Sequence, residues 1–141
     1  MGKLDYIPQT PCICINLRRI AQKVTDCYDK ALKPAGVSAN QYSLLVNIGR
    51  MEGCGTGKLA ERVRLEKSTL VRTLQPLFRQ GLITDNSSAG NRRRSLCLTQ
   101  AGEQVLKKAF PLWKRAQDEI AGKLGIGHAE LMSVISSMDS D

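Results

Sequence analysis

The chain has 141 residues and a formal net charge of +8, which together predict a single domain with a modest core and a basic surface. The positive charge is concentrated in residues 54–98, which carry a net +6, against +3 for residues 1–53 and −1 for residues 99–141. A basic patch on an otherwise balanced domain is typical of proteins that bind polyanions. Because no apolar run approaches the ~18 residues that a membrane-spanning helix needs, we expect no membrane partner.

The composition also narrows the chemistry and the compartment. The first residues lack the apolar segment of a signal peptide, so we expect a location in the reducing cytoplasm. The five cysteines are an odd number without paired spacing and do not indicate a disulfide framework. His128 is the only histidine, and no carboxylate pair, Ser/His or Cys/His arrangement or phosphate-binding loop is present. The sequence therefore predicts no enzyme, no catalytic residue, no metal site and no cofactor.

The N-terminal part predicts an arm and one long helix. Residues 1–9 have no periodicity and form the predicted arm. Thr10 and Pro11 predict the start of the helix, with Thr10 as its cap and Pro11 in its first turn. Apolar residues then recur at steps of four and three: Ile13, Leu17, Ile20, Val24, Cys27, Tyr28 and Ala31. This seam fits packing against another long helix, and Pro34 and Gly36 end it.

Two shorter helices are predicted next. Ser38 and Gln41 form a capping box for the first of them. Its predicted buried side comprises Tyr42, Leu45, Val46 and Ile48. Residues 49–57 are rich in glycine and predict a connection, and Thr56 is predicted to cap the second helix. The inward residues of that helix are Leu59, Ala60 and Val63.

The fourth predicted helix, residues 66–80, has two different faces at about 100° per residue. The apolar face collects Leu70, Leu74, Leu77 and Phe78. The opposite face collects Ser68, Thr69, Arg72, Gln75 and Arg79. These side chains are small, hydroxylated or cationic, which suits insertion into a DNA groove. The alternative is an ordinary amphipathic surface helix. Pro76 predicts a bend in this helix and Gly81 its end.

A β-hairpin and two more helices complete the chain. Two short apolar runs, residues 82–84 and 95–98, flank a polar tip, residues 85–94, which carries Arg92, Arg93 and Arg94. Thr99 is predicted to cap a long helix with a kink at Pro111. The apolar side of that helix comprises Val105, Leu106, Ala109, Phe110, Trp113, Ala116 and Ile120. Residues 125–127 break it, and a final short helix follows with apolar residues Leu131, Val134, Ile135 and Met138.

This order of elements predicts a mainly α fold with a small β-hairpin wing. A helix-turn-helix followed by a hairpin is a winged helix-turn-helix, and the long apolar seams predict that N- and C-terminal dimerisation helices flank it. We therefore divide the chain into an arm, residues 1–9, and a single domain, residues 10–141. Within that domain residues 38–98 form the predicted DNA-binding lobe, and residues 10–37 and 99–141 form the predicted dimerisation helices.

Five motifs follow one another along the chain: Thr56-Gly-Lys-Leu-Ala-Glu-Arg-Val, Ser68-Thr-Leu-Val-Arg-Thr-Leu, Gly81-Leu-Ile, Asn91-Arg-Arg-Arg and Leu98-Thr-Gln-Ala-Gly102. Together and in this order they resemble the MarR family of bacterial transcription factors. The resemblance extends from about residue 12 to the C-terminus. It implies a cytoplasmic, nucleoid-associated homodimer that binds a palindromic operator, with helix 66–80 in the major groove and wing 85–94 in the minor groove. It also implies release of DNA by a small-molecule effector, a metal or cysteine oxidation.

The same resemblance assigns DNA contacts to particular residues. In the recognition helix they are Lys67, Ser68, Thr69, Val71, Arg72 and Thr73. In the wing, Arg92 matches the arginine that the family inserts into the minor groove. The family wing usually has an aspartate two residues before that arginine, and here Gly90 takes its place.

The residues themselves also give reasons for DNA contact. Ser68 and Thr69 lie in a first helical turn, where amide groups and the helix dipole favour a phosphate. Arg72, one turn on, can form a forked contact with a guanine edge. Arg92, Arg93 and Arg94 can each meet phosphate, although a solvated tip is the usual role of a short charge run.

Two classes of function remain open from the sequence. One is a dimeric DNA-binding regulator, predicted to be a repressor. The other is a winged-helix module for protein–protein interaction without operator binding. A protein-binding face would show exposed Leu, Phe or Tyr, whereas the outward residues of helix 66–80 are Ser, Thr, Gln and Arg.

The cysteines give a hypothesis about the signal. Cys12 and Cys14 follow Thr10-Pro11, where the start of a helix favours the reactive thiolate. Cys14 also resembles the peroxide-sensing cysteine of the organic-hydroperoxide-resistance regulators, and Tyr28 one tyrosine that holds it; Arg18 and Ala39 replace the other two. Fourteen residues of helix span about 21 Å, so the two could meet only across a dimer. The alternative is that Cys14 packs as a small apolar residue.

Overall fold

The computed structural model describes residues 5–90 and 93–139. Its elements in chain order are α1 (Ile13–Leu32), a 3-10 turn (Lys33–Ala35), α2 (Ala39–Arg50), α3 (Thr56–Val63), α4 (Lys67–Arg79), β1 (Ile83–Asp85), β2 (Leu96–Leu98), α5 (Gln100–Leu124) and α6 (His128–Asp139). The predicted mainly α fold with a β-hairpin is therefore confirmed. Helices α4 and α5 run uninterrupted through Pro76 and Pro111.

Two of the predicted helix caps are confirmed. The Ser38 hydroxyl accepts a hydrogen bond from the backbone N–H of Gln41, and the Gln41 side chain accepts one from the Ser38 N–H, which completes the capping box of α2. The Thr99 hydroxyl accepts a hydrogen bond from the N–H of Gly102 at the start of α5. Both caps satisfy amide groups that a helix N-terminus leaves without an intrahelical partner.

Two other predicted caps are wrong. α1 begins at Ile13 rather than after Thr10, because the backbone N–H and the side-chain amide of Asn16 both donate to the carbonyl of Cys12 and close the first turn there. Cys12 is thus the capping position. α3 is capped by Gly55, and Thr56 is its first helical residue, since Leu59 donates to the Gly55 carbonyl.

The core lies between the helix-turn-helix, the hairpin and the middle of α5. Its largest side chains, all without solvent exposure, are Leu32, Leu45, Ile48, Leu59, Leu70, Leu74, Leu77 and Leu96. Three of them come from α4, which confirms that the predicted apolar face of this helix points inward, and Phe78 packs at its edge. Leu44 is also buried, although the α2 pattern did not include it.

A close backbone contact joins α5 to the hairpin. The N–H of Thr99 donates to the carbonyl of Leu82 at 3.0 Å, and the Thr99 hydroxyl donates to the carbonyl of Gly81 at 2.5 Å. A Cβ atom on Gly102 would lie 2.1 Å from the same Leu82 carbonyl oxygen. Only glycine allows α5 to approach the hairpin this closely.

The terminal helices leave apolar side chains in solvent. α1 packs along α5, yet Ile13, Leu17 and Ile20 of α1 are 76%, 60% and 48% exposed. α6 has no buried residue, and its Val134 and Met138 are 60% and 78% exposed. Among the described residues, every helix is too short or too polar to cross a bilayer.

Candidate nucleic-acid interface

The turn between α3 and α4 sets the direction of the recognition helix. Arg64 ends α3 in the left-handed backbone region, with φ of 55°. The N–H of Leu65 donates to the carbonyl of Ala60 at 3.0 Å, which closes α3 before the chain enters α4. Because Leu59 and Leu70 are both fully buried, the core fixes α3 against α4 from the inner side.

The predicted DNA-contact residues of α4 lie around its first two turns. Lys67, Ser68 and Arg72 are exposed, and Thr69, Val71 and Thr73 are half-buried. The capping residue Glu66 makes no side-chain hydrogen bond to the helix. The first amide groups of α4 therefore keep their donor capacity for a phosphate.

Thr73 differs from the other hydroxyl residues of this face. Its hydroxyl group donates to the carbonyl of Leu70 at 2.8 Å. The hydroxyl proton is thus used inside the helix, and Thr73 offers the groove a methyl group and an acceptor oxygen. Ser68 is exposed at the N-terminal end of the same face.

The wing contains a short third segment that the sequence did not predict. β1 and β2 pair antiparallel with Ile83 opposite Leu98 and Asp85 opposite Leu96. On the other side of β2, the Leu96 N–H donates to the carbonyl of Cys54 at 2.9 Å and the Gly53 N–H donates to the carbonyl of Leu96 at 2.8 Å. This single bridge fixes the wing to the residues that precede α3.

One carboxylate at the base of the wing was also missed by sequence reasoning. Oδ1 of Asp85 accepts hydrogen bonds from the backbone N–H groups of Ser95 and Ser87, both at 2.9 Å. These amides, Ser95 first, hold the pKa of the Asp85 carboxyl below its usual range, and the charge of Arg94 acts in the same direction. An aspartate at the end of a strand gives no signal in the sequence that it will bond both ends of the tip.

The three arginines of the predicted tip differ in their structural environment. Arg92 lies outside the described residues, as does Asn91. Arg93 is exposed. The Arg94 guanidinium lies over the ring of Phe78, 5.3 Å from its centroid, and is half-buried. Gly90 has a φ of +85°, a backbone conformation that side-chain-bearing residues rarely adopt, which is a physical reason for glycine at this position.

A cleft of about 750 Å³ separates the wing from the starts of α3 and α4. Its lining includes four cationic side chains and one carboxylate: Lys58, Lys67, Arg93, Arg94 and Glu61. Hydroxyl groups of the wing, including those of Ser87 and Ser95, line the same cleft. The middle of the chain thus presents cations and hydrogen-bond donors on one side, the chemistry that a phosphate backbone requires.

The end of α6 meets the helix-turn-helix. The Arg64 guanidinium forms two hydrogen bonds of 2.9 Å to the carboxylate of Asp139. This contact holds the pKa of the Asp139 carboxyl below its usual range. Because both side chains are well exposed, the ion pair adds little stability.

The predicted sensor residues lie apart from this interface, at and near α1. Cys12 and Cys14 are both exposed in the single chain. Tyr28 is half-buried, and its hydroxyl group donates to Oε1 of Gln117 in α5. Burial raises the pKa of Tyr28. Since Cys14 and Tyr28 belong to one continuous helix, they do not meet within a single chain.

Tyr28 and Gln117 also line an apolar groove of about 470 Å³ between α1, α5 and α6. Its other walls include Leu17, Ile20 and Leu131, all of which are exposed hydrophobic residues. Within residues 5–90 and 93–139, no group of three His, Cys, Asp or Glu side chains is arranged to hold a metal ion.

A helix-turn-helix with a basic recognition face and a hairpin wing defines a winged-helix DNA-binding regulator of transcription. A family model described as MarR family matches residues 37–95. Transcriptional regulator HosA of Escherichia coli O127:H6 is 29% identical over 124 residues, which are 86% of this chain and 90% of HosA.

Solved structures agree with this match. Transcriptional regulator MosR of M. tuberculosis is 30% identical, with a TM-score of 0.79 over 94% of this chain and 96% of MosR. The MosR chain in a structure of its complex with DNA is 32% identical, with a TM-score of 0.80 over 91% of this chain and 93% of that chain. The chain therefore belongs to the MarR family, whose members are DNA-binding transcription regulators and not enzymes.

Proposed function

We propose that this MarR-family regulator is a repressor that binds a palindromic operator as a homodimer. Each α4 enters a major groove, and each wing reaches the adjacent minor groove. The observation that carries this proposal is that α4 is buried on one face and exposed to solvent on the other. Leu70, Leu74 and Leu77 are fully buried, while Lys67, Ser68 and Arg72 are exposed. Lys67 also lines the basic cleft.

The contacts divide by chemistry. Lys67, Ser68 and Thr69, at the uncapped start of α4, bind phosphate, as do Arg92, Arg93 and the base of the wing around Arg94. Arg72 reads a guanine edge through its forked guanidinium, and the methyl groups of Val71 and Thr73 contact thymine methyl groups. The MosR structure solved with DNA, which aligns with 91% of this chain, supports DNA as the partner.

The exposed apolar side chains of α1 and α6 support the homodimer. Leu17, Ile20 and Leu131 line a groove that one chain leaves open. A second copy would bury these side chains, at a gain of about 25 cal/mol for each Å² of apolar surface removed from water. Residues 10–37 and 99–141 thus form the dimerisation part, and residues 38–98 the DNA-binding lobe.

Release of DNA follows a signal that reaches the dimerisation helices. A small apolar effector entering the groove beside Tyr28 and Gln117, or oxidation of the exposed thiols of Cys12 and Cys14, would change how these helices pack. Both routes leave the recognition face of α4 chemically intact and act on the distance between the two recognition helices.

The test of DNA binding uses duplexes from upstream of the protein's own gene and duplexes selected from a random pool. Fluorescence anisotropy at several salt concentrations gives affinity and the number of phosphate contacts. Arg72→Ala is expected to weaken specific binding by about 1–3 kcal/mol and to relax discrimination at one base pair. The control is Arg115→Ala, which removes the same charge from an exposed position of α5.

Equal affinity and an equal salt slope for both arginine variants and the parent chain would contradict the groove model.

The signal that releases DNA is tested in a separate experiment. Mild hydroperoxide should lower DNA affinity of the parent chain and leave Cys14→Ser unchanged if oxidation is the route. An unresponsive parent chain leaves the small effector as the signal.

A further inference from the structure

The wing is held at its base by a carboxylate that bonds both ends of its tip. Asp85 is the last residue of β1, Ser87 follows two residues later, and Ser95 directly precedes β2. The backbone N–H groups of both serines donate to the same oxygen, Oδ1 of Asp85, at 2.9 Å. A single side-chain oxygen therefore fixes where the tip leaves the hairpin and where it returns.

Arg94 connects the base of the wing to the recognition helix α4. Its guanidinium lies 5.3 Å from the ring centroid of Phe78, near the C-terminal end of α4. Its Nη1 atom is buried and has no hydrogen-bond partner among the described residues. The ring of Phe78 and the nearby charge of Asp85 both favour the guanidinium in this position. Arg94 is therefore part of the support of the wing.

Resting on the proposed function, we propose that Asp85 is a positioning residue for the DNA-binding wing. It fixes the positions of Ser87 and Ser95 at the start and end of the wing before DNA arrives, while Arg94 and Phe78 fix the hairpin against α4. Ordering a backbone segment costs conformational entropy, and a segment whose ends are fixed in advance incurs less of this cost on binding. Asp85 makes no contact with DNA itself.

Because Asp85 is negatively charged, the direction in which DNA affinity changes when it is removed tests the proposal. A carboxylate near a polyanion repels it, so electrostatics alone predicts that removing Asp85 strengthens DNA binding. A positioning role predicts the opposite. The Ser87 hydroxyl group also bonds the Asp85 carboxylate. Asparagine keeps an acceptor oxygen in place of Oδ1, so Asp85→Asn can still accept from the Ser87 and Ser95 amides while the charge is removed.

The experiment measures DNA affinity and its salt dependence for the full chain and three variants. Asp85→Ala should bind roughly fivefold or more weakly, with a reduced salt slope because the wing arginines no longer meet phosphate together. Asp85→Asn should stay within roughly twofold of the parent chain. The control Glu52→Ala removes an exposed carboxylate that directly precedes Gly53, a residue bonded to β2, and should bind equally or more tightly.

Two outcomes would overturn the proposal. One is tighter or unchanged binding by Asp85→Ala, as for Glu52→Ala. The other is equal weakening by Asp85→Ala and Asp85→Asn, which would show that the acceptor oxygen kept by asparagine does not support DNA binding. Amide hydrogen exchange supplies a measurement that needs neither DNA nor the alanine variant. The amides of Ser87 and Ser95 should be protected from exchange in the parent chain and in Asp85→Asn. Unprotected exchange in the parent chain would show that Asp85 does not hold these two amides.

The two parts of the experiment also separate this inference from the proposed function. If the parent chain binds none of the duplexes, the proposed function fails, while the exchange of the Ser87 and Ser95 amides still reports whether Asp85 holds these two amides. If the parent chain binds and Asp85→Ala matches it in affinity and salt slope, only the positioning role fails.

Discussion

The winged-helix lobe and the terminal helices of this chain differ in how much of their apolar surface is covered within a single chain. In the lobe, Leu45, Leu70 and Leu74 have no solvent exposure. In the terminal helices, Leu17 and Met138 remain 60% and 78% exposed. The apolar residues of the lobe are therefore buried within one chain, whereas one chain leaves much of the apolar seam of the terminal helices in solvent.

The contact between α5 and the hairpin joins the two regions, and Gly102→Ala breaks it. The added Cβ would lie 2.1 Å from the Leu82 carbonyl oxygen, so the backbone of the helix or of the hairpin must move. We expect the free energy of unfolding, measured with urea, to fall by about 3 kcal/mol.

The matched control is Gly122→Ala in the same helix, where an added Cβ meets nothing within 4 Å. Alanine is the better helix former, so this variant should be as stable as the parent chain or more stable by up to about 1 kcal/mol. Equal stability of the two variants would show that α5 and the hairpin do not approach as closely as this structure has them.

The unpaired apolar surface of the terminal helices is tested by Leu17→Glu. If a second copy covers Leu17, the glutamate loses the roughly 2 kcal/mol of free energy that burial of this leucine gives each protomer. The equilibrium should then shift from dimer towards monomer. Sedimentation at several concentrations measures the shift, and the melting temperature should lose its dependence on protein concentration. The control is Arg19→Glu, at an exposed position of the same helix. A parent chain that sediments as a monomer would remove the homodimer from the proposed function.

Inside the lobe, Ser38→Ala should have a smaller effect. It removes one half of the capping box of α2 and should lower the free energy of unfolding by about 1 kcal/mol, whatever the protein concentration. Ser43→Ala, at an exposed position of the same helix, is the control and should have almost no effect. A concentration-dependent loss for Ser38→Ala would indicate that the lobe also depends on association.

The features that the sequence predicted correctly are those set by local chemistry. The two faces of α4 follow from the spacing of Leu70, Leu74 and Leu77, and the caps at Ser38 and Thr99 follow from side chains that reach amides three residues away. The resemblance of the motifs identified the family, which the comparisons confirm.

The features that the sequence did not predict depend on contacts between distant segments. Asp85 bonds an amide ten residues later because the hairpin register brings Ser95 beside it. Cys54 joins β2 through one isolated bridge, which is too short to leave a strand pattern. The helix start at Ile13 was missed because it depends on the Asn16 side chain, which bonds the carbonyl of Cys12.

The smallest predicted effect concerns pH and separates the wing from the rest of the chain. Because the folded pKa of Asp85 is lowered, its carboxylate stabilises the wing above the unfolded value of about 3.9, and this contribution is lost as pH falls through the lowered folded pKa. The amide chemical shifts of Ser87 and Ser95 should therefore change in one step below about pH 3.9 in the parent chain and stay flat in Asp85→Asn. Asp139 also has a lowered pKa, but it is present in both proteins and cancels in the difference. Superimposable curves would mean that the two amides do not sense the Asp85 carboxylate. Because the group is exposed, the step should alter the wing without changing global stability appreciably.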